Sequence, residues 1–163
     1  WYHFMLIKNF GPVPFIDKAY SPGYDGWKDL TRPSFNAIST RIVEECDAII
    51  AKNTLDVRRT NEVEYEFMNK AVVYALKSRV LLYNASPLYN PENDVKKWDA
   101  AALAAQQCLD AITPEYALVD IEDYSTLFNE SNTVNNKEII YRSTTNDANN
   151  TNKSNGIDLQ EYG

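Results

Sequence analysis

Residues 71–90 read AVVYALKSRVLLYNASPLYN, and this stretch decides the fold. Val72, Val73, Ala75, Leu76, Val80, Leu81, Leu82 and Ala85 spread apolar side chains around nearly the whole circumference of a helix over about 68–85. A helix that is apolar on most sides is normally buried between neighbours. Leu81 and Leu82 are therefore expected to supply at least one fully buried side chain. Ser86-Pro87 ends the helix, because proline disfavours helical geometry in the residue before it. Pro91 keeps the following linker irregular.

Downstream, residues 95–112 form an alanine-rich helix, with Ala100, Ala101, Ala102, Ala104, Ala105 and Ala111. Small side chains let it lie close to the 68–85 helix, while Trp98, Leu103, Leu109 and Ile112 supply bulk. The two make a helical hairpin, in which Trp98 is expected to be mostly buried against the first helix. Trp98, Ala101, Ala102 and Ala105 echo the small-residue spacing of tetratricopeptide helices, and Pro87 stands where such a repeat would end.

Upstream, Phe35, Ile38, Ile42, Cys46 and Ile49 recur at spacings of 3, 4, 4 and 3, the signature of an amphipathic helix on a core. Thr31-Arg32-Pro33-Ser34 opens it, either hydroxyl residue being able to cap. Residues 1–10 read as the end of a buried helix carrying Trp1, Phe4, Met5, Ile7 and Phe10, stopped by Gly11-Pro12. Val13-Pro14-Phe15-Ile16 is too short and Pro-rich for a central strand and reads as an extended segment packed by its apolar side chains. Residues 17–30 and 53–66 read as loops, the first with Pro22-Gly23 and Asp25-Gly26 as turn signals. After Pro114, a short helical turn is expected over 123–129, a strand over 138–143, and an exposed Asn/Thr/Asp-rich loop over 145–156. The fold class is mainly α, with packed helical hairpins and a short strand near the C-terminal end. Both ends break off inside a pattern, so 1–163 reads as one fragment of a larger helical domain.

Composition narrows the function. With 23 acidic against 16 basic residues the net charge is −7, and no basic stripe exists, which argues against nucleic-acid binding. No apolar run approaches a membrane span. His3 is the only histidine and lies on an apolar helix, so a Ser-His-Asp or Cys-His arrangement has little to build on. Cys46 and Cys108 lack metal-ligand spacing and fall on apolar helix faces, where free thiols are expected, although a disulfide is open. Glu44-Glu45 and Asp120/Glu122/Asp123 read as a solvated helix face and an acidic turn before they read as glycosidase-like acids. Asn90, Glu92, Asn93 and Asp94 lack the spacing of an EF-hand calcium loop. No catalytic residue, metal or cofactor is expected.

Tyrosine is abundant, with 11 against 3 Trp and 6 Phe. In the 17–30 loop, Tyr20, Tyr24 and Trp27 stand among turn residues, a composition that can present rings without burying them. Tyr24 and Trp27 are the candidate ligand-binding residues, since exposed rings stack on sugar faces. The competing reading has Trp27 pinning the loop to the helices.

Five segments in order resemble the SusD/RagB family of outer-membrane lipoproteins of the Bacteroidetes. They are YHFMLIKNFGPVPFI at 2–16, AVVYALKSRVLLYNASPLYN at 71–90, KWDAAA at 97–102, YSTLF at 124–128 and NKEIIY at 136–141. The resemblance implies tetratricopeptide-like helices, attachment to the cell-surface leaflet of the outer membrane through a lipid outside this stretch, and capture of glycans or peptides. It also implies delivery of the oligosaccharide or peptide to a SusC-like TonB-dependent transporter, with binding and no catalysis. No binding residue is carried over from the family. The alternative is a tetratricopeptide-like scaffold that binds a partner protein.

Overall fold

The computed structural model describes residues 1–16, 18–60, 67–128 and 136–141. It is mainly helical: α1 spans Tyr2–Phe10, α2 Phe35–Lys52, α3 Lys70–Ala85 and α4 Val95–Ile112. Two 3-10 segments, Gly26–Asp29 and Ile121–Phe128, complete the regular structure of the described residues. Residues 61–66 of the loop expected over 53–66 and the loop expected over 145–156 lie outside them, as do Asp17, Asn129 and the last two residues of the expected strand.

Each long helix starts where a polar side chain can satisfy an otherwise unpaired amide. Ser34 accepts from the Ala37 N–H at 3.1 Å, Asn69 from Val72 at 3.0 Å, and Asp94 from Lys96 at 3.0 Å. Asn53 ends α2 in the left-handed region at φ 51°, a conformation asparagine tolerates better than most residues.

The central helix is α3, packed against α2 on one side and α4 on the other. Towards α2 and α1 it sends Val73, Leu76 and Val80, which join Phe4, Ile7, Phe35, Ile38, Ile42 and Cys46 in the main core. Its Ala71 contributes to a second cluster with Cys108, Ile112 and Tyr116. Between α2 and α3, Lys77 pairs with Asp47 at 2.6 Å and Asn84 donates to Asn36 Oδ1 at 2.9 Å. Beyond Ser86, Tyr89 folds back so that its ring stacks on Phe35 with centroids 3.6 Å apart.

Several expectations are corrected. Leu81 is only half-buried and Leu82 is 52% exposed. A helix flanked by two helices still has an open side, and the exposed Arg79, one turn before Leu82, marks it. Trp98 is 37% exposed, and its indole N–H donates to Asn93 Oδ1 at 3.2 Å, within the turn that opens α4. The row that α4 buries is Ala101, Ala104, Cys108 and Ile112, which leaves Trp98 to one side of the contact with α3. Ile49 is exposed, and the next residue, Ile50, packs on the core in its place. In α1 only Phe4 and Ile7 are buried, while Tyr2, Leu6 and Phe10 face outwards.

No strand forms among the described residues. Residues 136–141 instead make a turn-rich segment hooked onto the stretch after α4. Lys137 accepts from the Ala117 N–H at 3.2 Å, the Glu138 carboxylate accepts from Val119 N–H at 2.8 Å, and the Ile140 carbonyl accepts from Asn69 Nδ2 at 3.4 Å. A side-chain carboxylate and a side-chain amide replace two partners that a ladder would require from backbone.

Candidate binding loop

The loop between α1 and α2 is built by its turn residues. Tyr24 N–H donates to the Ser21 carbonyl at 3.0 Å, closing a turn with Pro22 and Gly23 at its centre. Gly23 has φ 86°, which the third position of a type II turn demands and which glycine adopts without strain. The turn brings Tyr20 and Tyr24 together with ring centroids 4.2 Å apart and planes within 3° of parallel. Next, the Tyr24 ring lies across Gly26, where a Cβ would collide with its hydroxyl, so glycine is needed for this packing. The Gly26–Asp29 helical turn then carries Trp27 outwards.

The loop thus offers aromatic surface to solvent: Tyr24 is 42% and Trp27 59% exposed. Trp27 is not among the hydrophobic residues packed on either core cluster. Lys28 holds its ammonium 5.5 Å from the Trp27 ring centroid and pairs with Asp25 at 3.1 Å; Lys18 lies 5.6 Å from the Tyr20 ring. At the loop's root, Phe15 packs on the main core and Arg32 donates to the Phe10 carbonyl at 3.5 Å. Tyrosines and a tryptophan between turn residues made this surface legible in the sequence. The stacking of Tyr20 on Tyr24 was not, because it depends on a chain path that composition does not specify, whereas the packing of Val13 and Phe15 follows the expectation for residues 13–16.

Two of the polar residues weighed in the sequence, Asn90 and Glu45, make structural contacts. Asn90 is buried, its amide donating to the Ala85 and Asp94 carbonyls at 3.3 and 3.1 Å, and its oxygen accepting from Asp94 N–H at 2.8 Å. It shapes the turn into α4 and has little capacity left for a cation. Glu45 pairs with Arg41 at 3.6 Å on the exposed side of α2. Among the described residues no group of three or more His, Cys, Asp or Glu could hold a metal ion. No helix among them is long and apolar enough to cross a membrane.

Cys46 and Cys108 are both free and buried. Burial pushes the Cys46 thiol up to about 11 and raises Cys108 as well. Since the thiolate is the reactive form, both should be inert towards Ellman's reagent at pH 7.5 in the native protein. Two equivalents are expected in guanidinium; rapid native reaction of either thiol would contradict the packing described above.

No family model matches the chain, and no curated protein or solved structure matches it.

Proposed function

We propose that the chain is part of a SusD/RagB-like protein that captures glycan or peptide nutrients at the cell surface and delivers them to a TonB-dependent outer-membrane transporter. In this reading α3 and α4 are a tetratricopeptide-like hairpin, and the protein binds without catalysing. It is held on the outer membrane by a lipid attached outside residues 1–163. The observation that carries the proposal is the aromatic loop, where Tyr24 and Trp27 are exposed on a framework set by Gly23 and Gly26. An exposed indole on an ordered turn has a flat apolar face available, and sugar C–H faces stack on such rings. The order of the five family-like segments adds to it.

The alternative scaffold reading rests on the outer side of α4, where Val95, Leu103 and Leu109 are exposed. An apolar helix surface can seat a partner helix.

A Trp27→Ala substitution separates the two. A panel of plant and host oligosaccharides and peptides would first be screened on the immobilised full-length protein, and hits titrated calorimetrically. Losing the ring should weaken binding by about 1–3 kcal/mol, the value of covering one aromatic face. Stability should stay within about 0.5 kcal/mol, because the side chain is largely exposed. Equal affinity for wild type and variant would remove Trp27 from the site; a lowered melting temperature would make it a packing residue.

A further inference from the structure

The chain's only histidine stands at the root of the aromatic loop. The His3 ring on α1 lies 4.6 Å from the Phe15 ring, tilted by 45°. The Arg41 guanidinium of α2 lies 3.8 Å from the centroid of that same ring. Phe15 therefore fastens residues 11–16 to two helices at once, with Val13 and Phe15 packed on the main core. His3 Nε2 is buried without a hydrogen-bond partner. A neutral imidazole can leave that nitrogen as an unused acceptor. An imidazolium cannot do so cheaply, since both its nitrogens are donors and a buried charged donor without an acceptor is strongly disfavoured.

We propose that His3, Phe15 and Arg41 form an acid-released latch: neutral His3 holds α1 and residues 11–16 against α2, and protonation loosens them together with the anchor of the aromatic loop. Burial holds His3 below its usual range, Glu45 of α2 opposes it, and Arg41 of α2 adds to it. Glu45 is shared with Arg41, which it pairs at 3.6 Å. The closed latch thus binds a proton less readily than the open one. Its stability is fully present above the ordinary histidine value of 6.5 and falls as pH drops below it, until the closed form protonates too.

Amide exchange on the full chain tests this, with protection of the Met5–Asn9 amides corrected for intrinsic rates and compared with Val73–Val80. Between pH 7.5 and 5.5, α1 protection should fall relative to α3, by roughly tenfold for each pH unit in which only the open form carries the proton. His3→Phe should abolish that fall while keeping the ring packing, and His3→Gln, which cannot titrate, should do the same if phenylalanine overfills the site. An acid-induced loss that persists in both variants would assign it to carboxylates and overturn the latch. So would flat α1 protection in the wild type, or an NMR titration placing folded His3 at or above 6.5.

Discussion

Phe4→Ala is expected to cost the fold about 3–5 kcal/mol, the range for truncating a buried phenylalanine. Phe4 is 1% exposed and its ring meets Tyr83 of α3 edge-on, with centroids 5.4 Å apart. It is thus the largest side chain by which α1 enters the core of α2 and α3, and its removal forfeits both the apolar contacts and an aromatic pair worth about 0.5–1.5 kcal/mol. For a chain of this size each kcal/mol shifts the melting temperature by roughly 2–4 °C, so a fall of about 6–20 °C is expected by calorimetry. Leu82→Ala is the matched control. With half its surface already in solvent, Leu82 should cost less than about 1 kcal/mol. Comparable losses at the two positions would mean that α1 does not dock as described, or that the open side of α3 is covered.

The same pair shows what the sequence could and could not reveal. Local chemistry was legible: the 3-4-4 spacing from Phe35 to Cys46 marked a buried face, Ser34 and Pro87 marked helix ends, and Pro22-Gly23 marked the loop's turn. The face that α3 leaves open was not legible. Apolar residues all round a helix say that neighbours are wanted, but not how far along it they reach, and Leu82 is left 52% exposed. Trp98 failed as a core residue for a related reason. Its indole carries a donor, and Asn93 one turn away offers an acceptor without burial. In Ile139-Ile140-Tyr141 the strand propensity is real, yet propensity needs a partner strand, and the nearest partners are the irregular residues 117–119 and the Asn69 side chain. For the binding loop, residue types announced rings and turns. That the rings stand outwards follows from where Phe15 and Arg32 fasten the loop, a matter of three-dimensional path.

Asn69 is where the second large effect is expected. Only 3% exposed, it caps α3 through Oδ1, and through Nδ2 it donates to the Tyr116 hydroxyl at 3.2 Å and the Ile140 carbonyl at 3.4 Å. One side chain thereby joins the start of the central helix, the chain after α4 and the 136–141 segment. Asn69→Ala removes a cap worth about 0.5–2 kcal/mol and strands polar groups in a site closed to water, at about 1–3 kcal/mol. A total of about 2–4 kcal/mol is expected from urea unfolding. Asn69→Asp divides that sum. The carboxylate still caps Val72 and can accept from the Tyr116 hydroxyl, but it turns an oxygen towards the Ile140 carbonyl where the native amide offers a donor. The Asp variant should therefore keep the Val72 amide protected from exchange while the Ala117 amide, which donates to the Lys137 carbonyl, loses protection as 136–141 detaches. The Ala variant should lose protection at both. If Asn69→Asp matched the wild type in stability and at Ala117, the amide donor would contribute nothing, and residues 136–141 would be held by Glu138, Lys137 and the packing of Ile140.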